Sequence, residues 1–205
     1  STPSNSSAAS DVYKRQIHGD AYKQQRVIRD TNVVVIGAGT AGMEAACTAA
    51  EVGCHTWLLE EKHSIGGLAS EISLLPEKKR IADFPQFMKN RIASLDNLML
   101  QVGKRATVAS VSALRPDLIV NATGSVPLLP PIEGLRENID VEGGNVFSIT
   151  NMIHHLDQFA DATGKRIAVV GAGAVGLDVI EYFSARGASA VLIAVSYTHL
   201  TLPTN

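Results

Sequence analysis

Two short runs of β-branched and apolar residues, at 33–36 and 167–170, each lead into a turn with three glycines. The first continues as VVVIGAGTAGMEAACTAAEVG and the second as IAVVGAGAVGLDVIEYFSARG. An apolar run of strand length, a glycine turn and a stretch of helix formers predict a strand, a turn and a helix. A further apolar run follows each helix, at 55–59 and 188–193. The pattern therefore predicts the same β-α-β unit twice in one chain.

Segment 83–95, DFPQFMKNRIASL, has its apolar residues at helical spacing. Asp83 and Pro85 suit the first turn of a helix. We therefore predict a helix that covers the sheet, with an apolar face that belongs to the core and consists of Phe84, Phe87, Met88, Ile92 and Leu95.

Three apolar runs between the two glycine turns are short enough to be strands. LMLQV at 98–102 and ATVASV at 106–111 predict two short strands. PDLIVNATG at 116–124 predicts a further buried strand that ends in a small turn at Ala122, Thr123 and Gly124, where a ligand or a crossing chain could approach.

The chain before the second glycine turn begins with a proline-rich connector. SVPLLPPIEGL at 125–135 cannot be a helix or a central strand, because proline lacks the backbone N–H. NMIHHLDQFADATG at 151–164 predicts a short helix that ends at Gly164.

The first glycine turn has the spacing G-x-G-x-x-G, and its glycines have distinct roles in dinucleotide binding. Gly37 can take the tight turn, Gly39 lets the backbone approach a pyrophosphate, and Gly42 lets the helix pack on its strand. Glu60 ends the next strand, 18 residues beyond Gly42, where a carboxylate would bind ribose hydroxyls. The alternative interpretation is an ordinary β-α-β turn that binds nothing.

The second turn repeats this arrangement with Gly171, Gly173 and Gly176, and we predict that it holds a second dinucleotide. The residue that ends its second strand distinguishes NADH from NADPH in such units. By analogy with Glu60, that position falls at about Ala194. The sequence therefore leaves the coenzyme preference open.

Composition narrows the function classes. Hydrophobic residues make up 45% and the formal net charge is -2, which is typical of a globular protein with no basic excess for nucleic acid. The apolar runs are strand-sized and no secretory signal is present, so we expect no membrane partner and a cytoplasmic location. Cys47 and Cys54 have no disulfide or metal spacing and are expected to be small buried thiols. No metal site is expected.

Both ends of the chain differ from its middle. Residues 1–16 are serine-rich and contain the sequence SDVYKRQ. Residues 195–205 contain the sequence VSYTHLTLPT. Both resemble translated adaptor or vector sequence, which would not belong to the folded protein. The alternative is a natural disordered tail and a natural last strand. With the ends excluded, we expect an internal fragment of a longer chain.

Four motifs occur in a fixed order over residues 31–193: VVVIGAGTAGMEAA, LLEEKHSIGG, PDLIVNATGSVPLLPPIEGL and GKRIAVVGAGAVGLDVIEYFSARG. The set resembles the two-dinucleotide flavoproteins related to pyridine nucleotide-disulfide oxidoreductases. Within that superfamily it is most similar to the C-terminal half of multidomain NADH:flavin oxidoreductases, the group of 2,4-dienoyl-CoA reductase, trimethylamine dehydrogenase and clostridial enoate reductases. The resemblance implies an α/β fold with two Rossmann-like units, the first FAD-binding, the second NAD(P)-binding and truncated.

The same resemblance implies a role for each site residue. The first turn would approach the FAD pyrophosphate, Glu60 would bind the adenosine ribose, and Gly67 would lie near the cofactor in the following loop. Thr123 and Gly124 would sit at the crossing between domains, and the second turn would cradle NAD(P)H. The expected cofactor-binding residues are Gly37, Gly39, Gly42, Glu60, Gly67, Thr123, Gly124, Gly171, Gly173 and Gly176.

The implied domains follow from the same comparison. Residues 17–30 would be a linker, and residues 31–150 the N-terminal part of the FAD-binding domain. The start of the NAD(P)-binding domain would lie at 151–194, and the adaptor-like tail at 195–205 would follow it.

The implied chemistry is hydride transfer from NAD(P)H to FAD, with electrons passed to a second centre or an organic acceptor. No residue is assigned a catalytic role, and the fragment is expected to be inactive alone. FMN and a 4Fe-4S cluster would belong to the full-length parent only. The chain lacks the redox-active cysteine pairs of dithiol members, which disfavours disulfide reductase activity. A glutamate synthase reductase subunit and a noncatalytic dinucleotide sensor are the alternatives.

Overall fold

The computed structural model describes residues 25–194. The predicted adaptor-like tails, 1–16 and 195–205, lie outside the described residues, as does residue range 17–24 of the predicted linker.

The described chain divides into two compact units. The first consists of residues 25–70 with Arg80–Ser125, and the second of Glu71–Lys79 with residues 126–194. These two units are defined by which residues pack together, and their bounds say nothing about which residues bind a cofactor. The extents of the two cofactor-binding domains therefore stay a prediction.

The first unit is built on a parallel four-stranded sheet with the strand order β3-β2-β1-β4. Strand β1 is one of the two inner strands, and its Val35 pairs with Leu58 of β2 on one side and with Val120 of β4 on the other. Apolar residues predominate along β1 because both faces of a central parallel strand are covered. The strands are β1 (Asn32–Ile36), β2 (His55–Leu59), β3 (Leu98–Gln101) and β4 (Leu118–Asn121).

Helices cover both faces of this sheet. On one face, α1 (Thr40–Glu51) and α3 (Asp83–Ala93) bury Met43 and Met88 in one core cluster with Val33, Val35 and Leu58. On the opposite face, Val111 of α4 (Val108–Ala113) packs with Val34 and Leu59. Between β2 and α3 the chain forms α2 (Gly67–Ile72) and a 3-10 helix (Pro76–Ala82). The predicted α/β class with a parallel sheet is confirmed.

The predicted strand at 106–111 is wrong, because this segment forms α4. Thr107 caps the helix: its hydroxyl accepts a hydrogen bond from the Ser110 N–H at 3.1 Å, and Ser110 Oγ accepts one from the Thr107 N–H at 2.8 Å. This reciprocal capping box satisfies two donors that would otherwise be unpaired at the helix start. The cap therefore outweighs the β-branched composition of the segment.

The predicted helix at 83–95 is confirmed, but its predicted buried face is wrong at two positions. Phe84 is 38% exposed and Phe87 is 59% exposed. The buried residues of α3 are Pro85, Met88 and Ile92, at spacings of three and four. The apolar stripe is thus narrower than the composition of the helix suggests.

Strand β4 is predicted to be buried, and the structure contradicts this. Leu118 is 55% exposed and Ile119 is 51% exposed, since β4 lies at an edge of the described sheet. Val120 is its most shielded apolar residue, and it packs against the core that α1 covers.

The second unit contains a parallel two-stranded sheet. β5 (Arg166–Val170) and β6 (Ser189–Ile193) pair in register, and α7 (Ala174–Ser184) connects them. Their core includes an aromatic cluster in which Phe183 meets the rings of Phe159 and Tyr182 edge-on, at centroid distances of 5.4 and 5.3 Å. Edge-on contact is a favoured arrangement of aromatic pairs.

Short helices precede β5 in this unit: α5 (Leu135–Asn138), α6 (Ile149–His154) and a 3-10 helix (Leu156–Phe159). The predicted helix end at Gly164 is wrong. Gly164 lies beyond these helices, in the turn before β5, with a φ of +73° that a glycine adopts readily. Within residues 25–194, none of the helices has the length and apolar character needed to cross a membrane.

Candidate functional site

The carboxyl ends of β1, β2 and β4 meet at one edge of the first sheet, because the three strands are parallel neighbours. The glycine turn follows β1, Glu60 follows β2, and Thr123 and Gly124 follow β4 by two and three residues. The crevice beyond the carboxyl ends of strands is where open α/β sheets bind ligands. The fold therefore brings the predicted residues of the first site to one edge.

Gly37 makes the turn at the end of β1. Its φ is +98°, a conformation that side chains disfavour, and a Cβ at this position would overlap the carbonyl oxygen of Ala122. Its N–H donates a 2.7 Å hydrogen bond to the carbonyl oxygen of Leu59. The turn is thus packed against the ends of β2 and β4, and only glycine fits there.

Gly42 lies in the first turn of α1 and is buried. A Cβ here would overlap the carbonyl oxygen of Gly37. Because Gly42 has no side chain, α1 can pack directly on the glycine turn, which is the close approach expected of the third glycine.

Gly39 occupies the N-cap position of α1 in an extended conformation, with φ -74°. A Cβ built on Gly39 meets no described atom within 4 Å, and none of the described side chains caps this end of the helix. The first N–H groups of a helix have no partner within the helix and favour negative charge. The first turn is therefore an open cradle that fits a phosphate group.

Glu60 lies beside this cradle and is half-buried. Its Oε2 accepts a 2.7 Å hydrogen bond from the Ala38 N–H, and its Oε1 accepts a 2.9 Å hydrogen bond from the Lys62 N–H. The carboxylate is thus fixed next to the glycine turn.

The remaining residues predicted for the first site lie at the same edge. A Cβ on Gly67 would be 3.0 Å from the Gly39 Cα, so the loop after Glu60 lies against the turn. The Cα of Thr123 lies 3.0 Å from the Cβ position of Gly37, and the Thr123 hydroxyl donates a 2.9 Å hydrogen bond to Asn121 Oδ1. Gly124 follows with a φ of +77° and open space at its Cβ position.

The second glycine turn repeats the geometry of the first within its own unit. Gly171 has a φ of +115° and donates a 2.9 Å hydrogen bond to Ile193, as Gly37 does to Leu59. Gly173 is the N-cap of α7 with open space at its Cβ position, and a Cβ on Gly176 would overlap the Gly171 carbonyl oxygen.

The two turns differ at the residue that follows the second strand. Glu60 follows Leu59, whereas Ala194 follows Ile193. Since Leu59 and Ile193 accept equivalent hydrogen bonds from the turns, Ala194 occupies the position of Glu60. Its methyl group cannot accept a hydrogen bond.

Sequence reasoning missed one residue of the first site, Ala38, although the sequence indicated that the loop with Gly66 and Gly67 could lie close to a cofactor. Ala38 is buried between Gly37 and Gly39, and its carbonyl oxygen accepts a 2.8 Å hydrogen bond from the Gly66 N–H. Gly66 has a φ of +111°, and a Cβ there would overlap Ser70 Oγ. The Gly66–Gly67 pair was a signal for an unusual loop conformation. No sequence signal indicated its bond to Ala38.

Cys47 and Cys54 are both buried, as predicted. Burial raises the pKa of each thiol, and the nearby Arg91 guanidinium only partly opposes this effect on the pKa of Cys47. Buried thiols with raised pKa values are poor nucleophiles. Within residues 25–194, no group of three or more His, Cys, Asp or Glu residues could hold a metal ion.

The chain is similar to known proteins. The sequence profile of the pyridine nucleotide-disulphide oxidoreductase family matches residues 31–202. The NADH oxidase of Thermoanaerobacter brockii is 32% identical over 161 residues, which cover 78% of this chain and 24% of the relative. The bilirubin reductase of Mediterraneibacter gnavus is 29% identical over 172 residues, 82% of this chain and 25% of the relative.

A solved structure of 2-naphthoyl-CoA reductase in complex with 2-naphthoyl-CoA superposes with a TM-score of 0.67 and 26% identity, over 85% of this chain and 25% of that one. The chain thus spans about a quarter of the length of these relatives. The predicted superfamily is confirmed, and the relatives agree with its multidomain reductase group. Because the profile covers well over half of the sequence, the chain belongs to the pyridine nucleotide-disulphide oxidoreductase family.

Proposed function

We propose that this chain is the FAD- and NAD(P)H-binding part of a flavin-dependent oxidoreductase. The open N-terminus of α1 at Gly39 carries the proposal, because no described side chain fills the position that a pyrophosphate would take. Membership of the family supports it.

In the first unit, the N–H groups at the start of α1 would bind the FAD pyrophosphate, with Gly37 and Gly42 fixing the shape of the turn. Glu60 would accept hydrogen bonds from the adenosine ribose. Gly67, which lies against Gly39, would line the same crevice, and Thr123 and Gly124 would lie at the crossing between the two domains. These residues bind and orient, and none of them would exchange protons with a substrate.

In the second unit, Gly173 at the start of α7 would receive the pyrophosphate of NAD(P)H in the same way. Gly171 and Gly176 would shape this turn. We propose that the unit is a truncated NAD(P)-binding unit, and Ala194 leaves its preference between NADH and NADPH open.

Flavin and nicotinamide together supply hydride transfer, and the protein supplies proximity, orientation and electrostatics. The electrons would pass on to a second centre or an organic acceptor in a full-length parent, where FMN and a 4Fe-4S cluster would also reside. We propose that the described chain is inactive alone and that the parent is cytoplasmic.

Two measurements test the proposal. FAD is titrated into the purified chain and its binding is followed by quenching of flavin fluorescence; saturable binding is expected, and none would overturn the first site. NADH and NADPH are then added anaerobically to the FAD-loaded parent protein. Bleaching of the flavin absorbance is expected, because reduction removes the oxidised chromophore. Bound flavin that neither coenzyme bleaches would favour the noncatalytic sensor.

A further inference from the structure

Both backbone groups of Ala38 are held by the loop that follows β2. Its N–H donates to Glu60 Oε2 at 2.7 Å, and its carbonyl oxygen accepts from the Gly66 N–H at 2.8 Å. Ala38 is itself buried between the first two glycines of the turn. The two peptide groups that flank Ala38 are therefore fixed from outside the turn.

This attachment sets the direction of the Gly39 N–H. The peptide between Ala38 and Gly39 is planar and trans, so its N–H points opposite to the Ala38 carbonyl. Because that carbonyl faces the Gly66 N–H, the Gly39 N–H points away from Gly66. Glycine would otherwise let this peptide rotate over a wide range of conformations.

Glu60 is in turn rigidly held. Its Oε1 accepts a 2.9 Å hydrogen bond from the Lys62 N–H, and its own N–H donates a 2.8 Å bond to the Gln101 carbonyl oxygen. Hydrogen bonds from backbone N–H groups to an ionised carboxylate are stronger than those between neutral groups. The carboxylate is therefore a firm anchor for the Ala38 N–H.

The second glycine turn provides an internal comparison. Ala172, which corresponds to Ala38, is exposed, and Ala194 stands at the position of Glu60. Among residues 25–194, no carboxylate accepts a hydrogen bond from the Ala172 N–H, so this part of the chain keeps the three glycines of the second turn without such an anchor. The glycine spacing alone does not require such an anchor.

We infer that Glu60 is a positioning residue for the pyrophosphate as well as a ligand of the ribose: its carboxylate holds Ala38 so that the turn is already oriented before a nucleotide binds. This inference rests on the proposed nucleotide site at the first turn.

The test separates the two roles with two ligands. ADP and 2′,3′-dideoxy-ADP, which lacks both ribose hydroxyls, are titrated calorimetrically into the wild-type chain and into Glu60→Ala and Glu60→Gln. Asp117→Asn is the matched control, since Asp117 Oδ2 accepts a 2.8 Å bond from the Asn32 N–H at the opposite end of β1. Exchange of the Ala38 amide hydrogen is measured without ligand.

A positioning role predicts that Glu60→Ala binds dideoxy-ADP about tenfold more weakly than wild type, although this ligand offers no ribose hydroxyl. The Ala38 amide should exchange faster in the variant, while Asp117→Asn changes neither measurement. If Glu60→Ala does not fold, the same measurements are made on Glu60→Gln. Its neutral amide replaces one carboxylate oxygen by a weaker acceptor and the other by an NH₂ group that cannot accept a hydrogen bond.

Three results would overturn the inference. Equal affinity of wild type and the folded Glu60 variant for dideoxy-ADP, with a loss only for ADP, would restrict Glu60 to the ribose and leave the proposed function intact. An unchanged exchange rate at Ala38 would have the same meaning. Absence of ADP binding by the folded wild-type chain would reject the proposed site itself, and the inference with it.

Discussion

The guanidinium of Arg91 and the carboxylate of Glu51 form two parallel hydrogen bonds, 2.6 Å from Nε to Oε1 and 2.7 Å from Nη2 to Oε2. A third bond runs 2.6 Å from Nη1 to Glu44 Oε2. The bond to Glu51 is the main cause that raises the pKa of Arg91 above its usual value. Since both glutamates belong to α1, this contact fixes α3 on the helix whose first turn forms the cradle.

Replacing Arg91 by lysine should lower the free energy of unfolding by about 1–2 kcal/mol, because an ammonium cannot form the paired bonds to Glu51. Urea unfolding followed by circular dichroism measures the change. Glu44→Gln is the control: the Glu44 side chain is 53% exposed, so its loss should cost less than about 0.5 kcal/mol. Equal losses in both variants would contradict this assignment.

The two glycine turns should respond separately to a branched side chain. Gly39→Val should weaken FAD binding while leaving NAD(P)H binding intact, because the new side chain would occupy the open space at the start of α1. Gly173→Val should do the reverse. Each variant serves as the control for the other in titrations with FAD and with NADH or NADPH. Equal loss of flavin in both would contradict the assignment of the two sites.

Gly42 and Gly39 should differ in their effect on stability. Gly42→Ala should lower the free energy of unfolding by more than about 2 kcal/mol, because its Cβ would overlap the backbone of Gly37. Gly39→Ala should cost about 1 kcal/mol or less, since its Cβ meets open space and only the N-cap preference is lost. Thermal unfolding of the two variants without ligand measures both. A larger loss for Gly39→Ala would show that the turn is packed differently.

Cys47 and Cys54 should be inert in the folded chain. Burial raises the pKa of both thiols, so at pH 8 a disulfide reagent should modify them far more slowly than in urea-unfolded chain. Prompt modification of the folded chain would contradict their burial.

The same raised pKa values predict a loss of stability at alkaline pH. Thiols of the unfolded chain ionise above about pH 8.5, before those of the folded chain, so the stabilising effect of the neutral buried thiols is complete below that pH. It is lost as the pH rises through the folded pKa values. Urea midpoints should therefore fall between about pH 8 and pH 10. The fall should be smaller in the Cys47→Ala, Cys54→Ala double variant, and an equal fall would exclude the thiols as its cause.

The sequence was most informative where backbone geometry restricts the residue type. Gly37 and Gly42 were predictable because a positive φ at one and close helix packing at the other leave no room for a Cβ. The position of Glu60 beside the turn was predictable because the length of the β-α-β unit fixes which residue follows the second strand. The parallel sheet followed from the same spacing.

Other features depended on contacts that hydrophobic periodicity does not describe. The pair Thr107 and Ser110 starts a helix through side-chain hydrogen bonds in a segment with strand-like composition. Phe84 and Phe87 are apolar but exposed, because the surface that α3 covers is narrower than its apolar face. The Gly66 bond to Ala38 joins two loops, and such long-range pairing leaves no regular pattern in the sequence.

The pairing of β1 with β4 has a consequence for synthesis of the protein. Asn32 at the start of β1 bonds to Asp117, 85 residues later, and the turn at Gly37 rests on Ala122. A ribosome makes protein from the N-terminus, so the motif 37–42 leaves the exit tunnel well before its supporting strand. At the proposed site, tight nucleotide binding would therefore require residue 122 to have emerged, because the strand that supports the turn is synthesised after the turn itself.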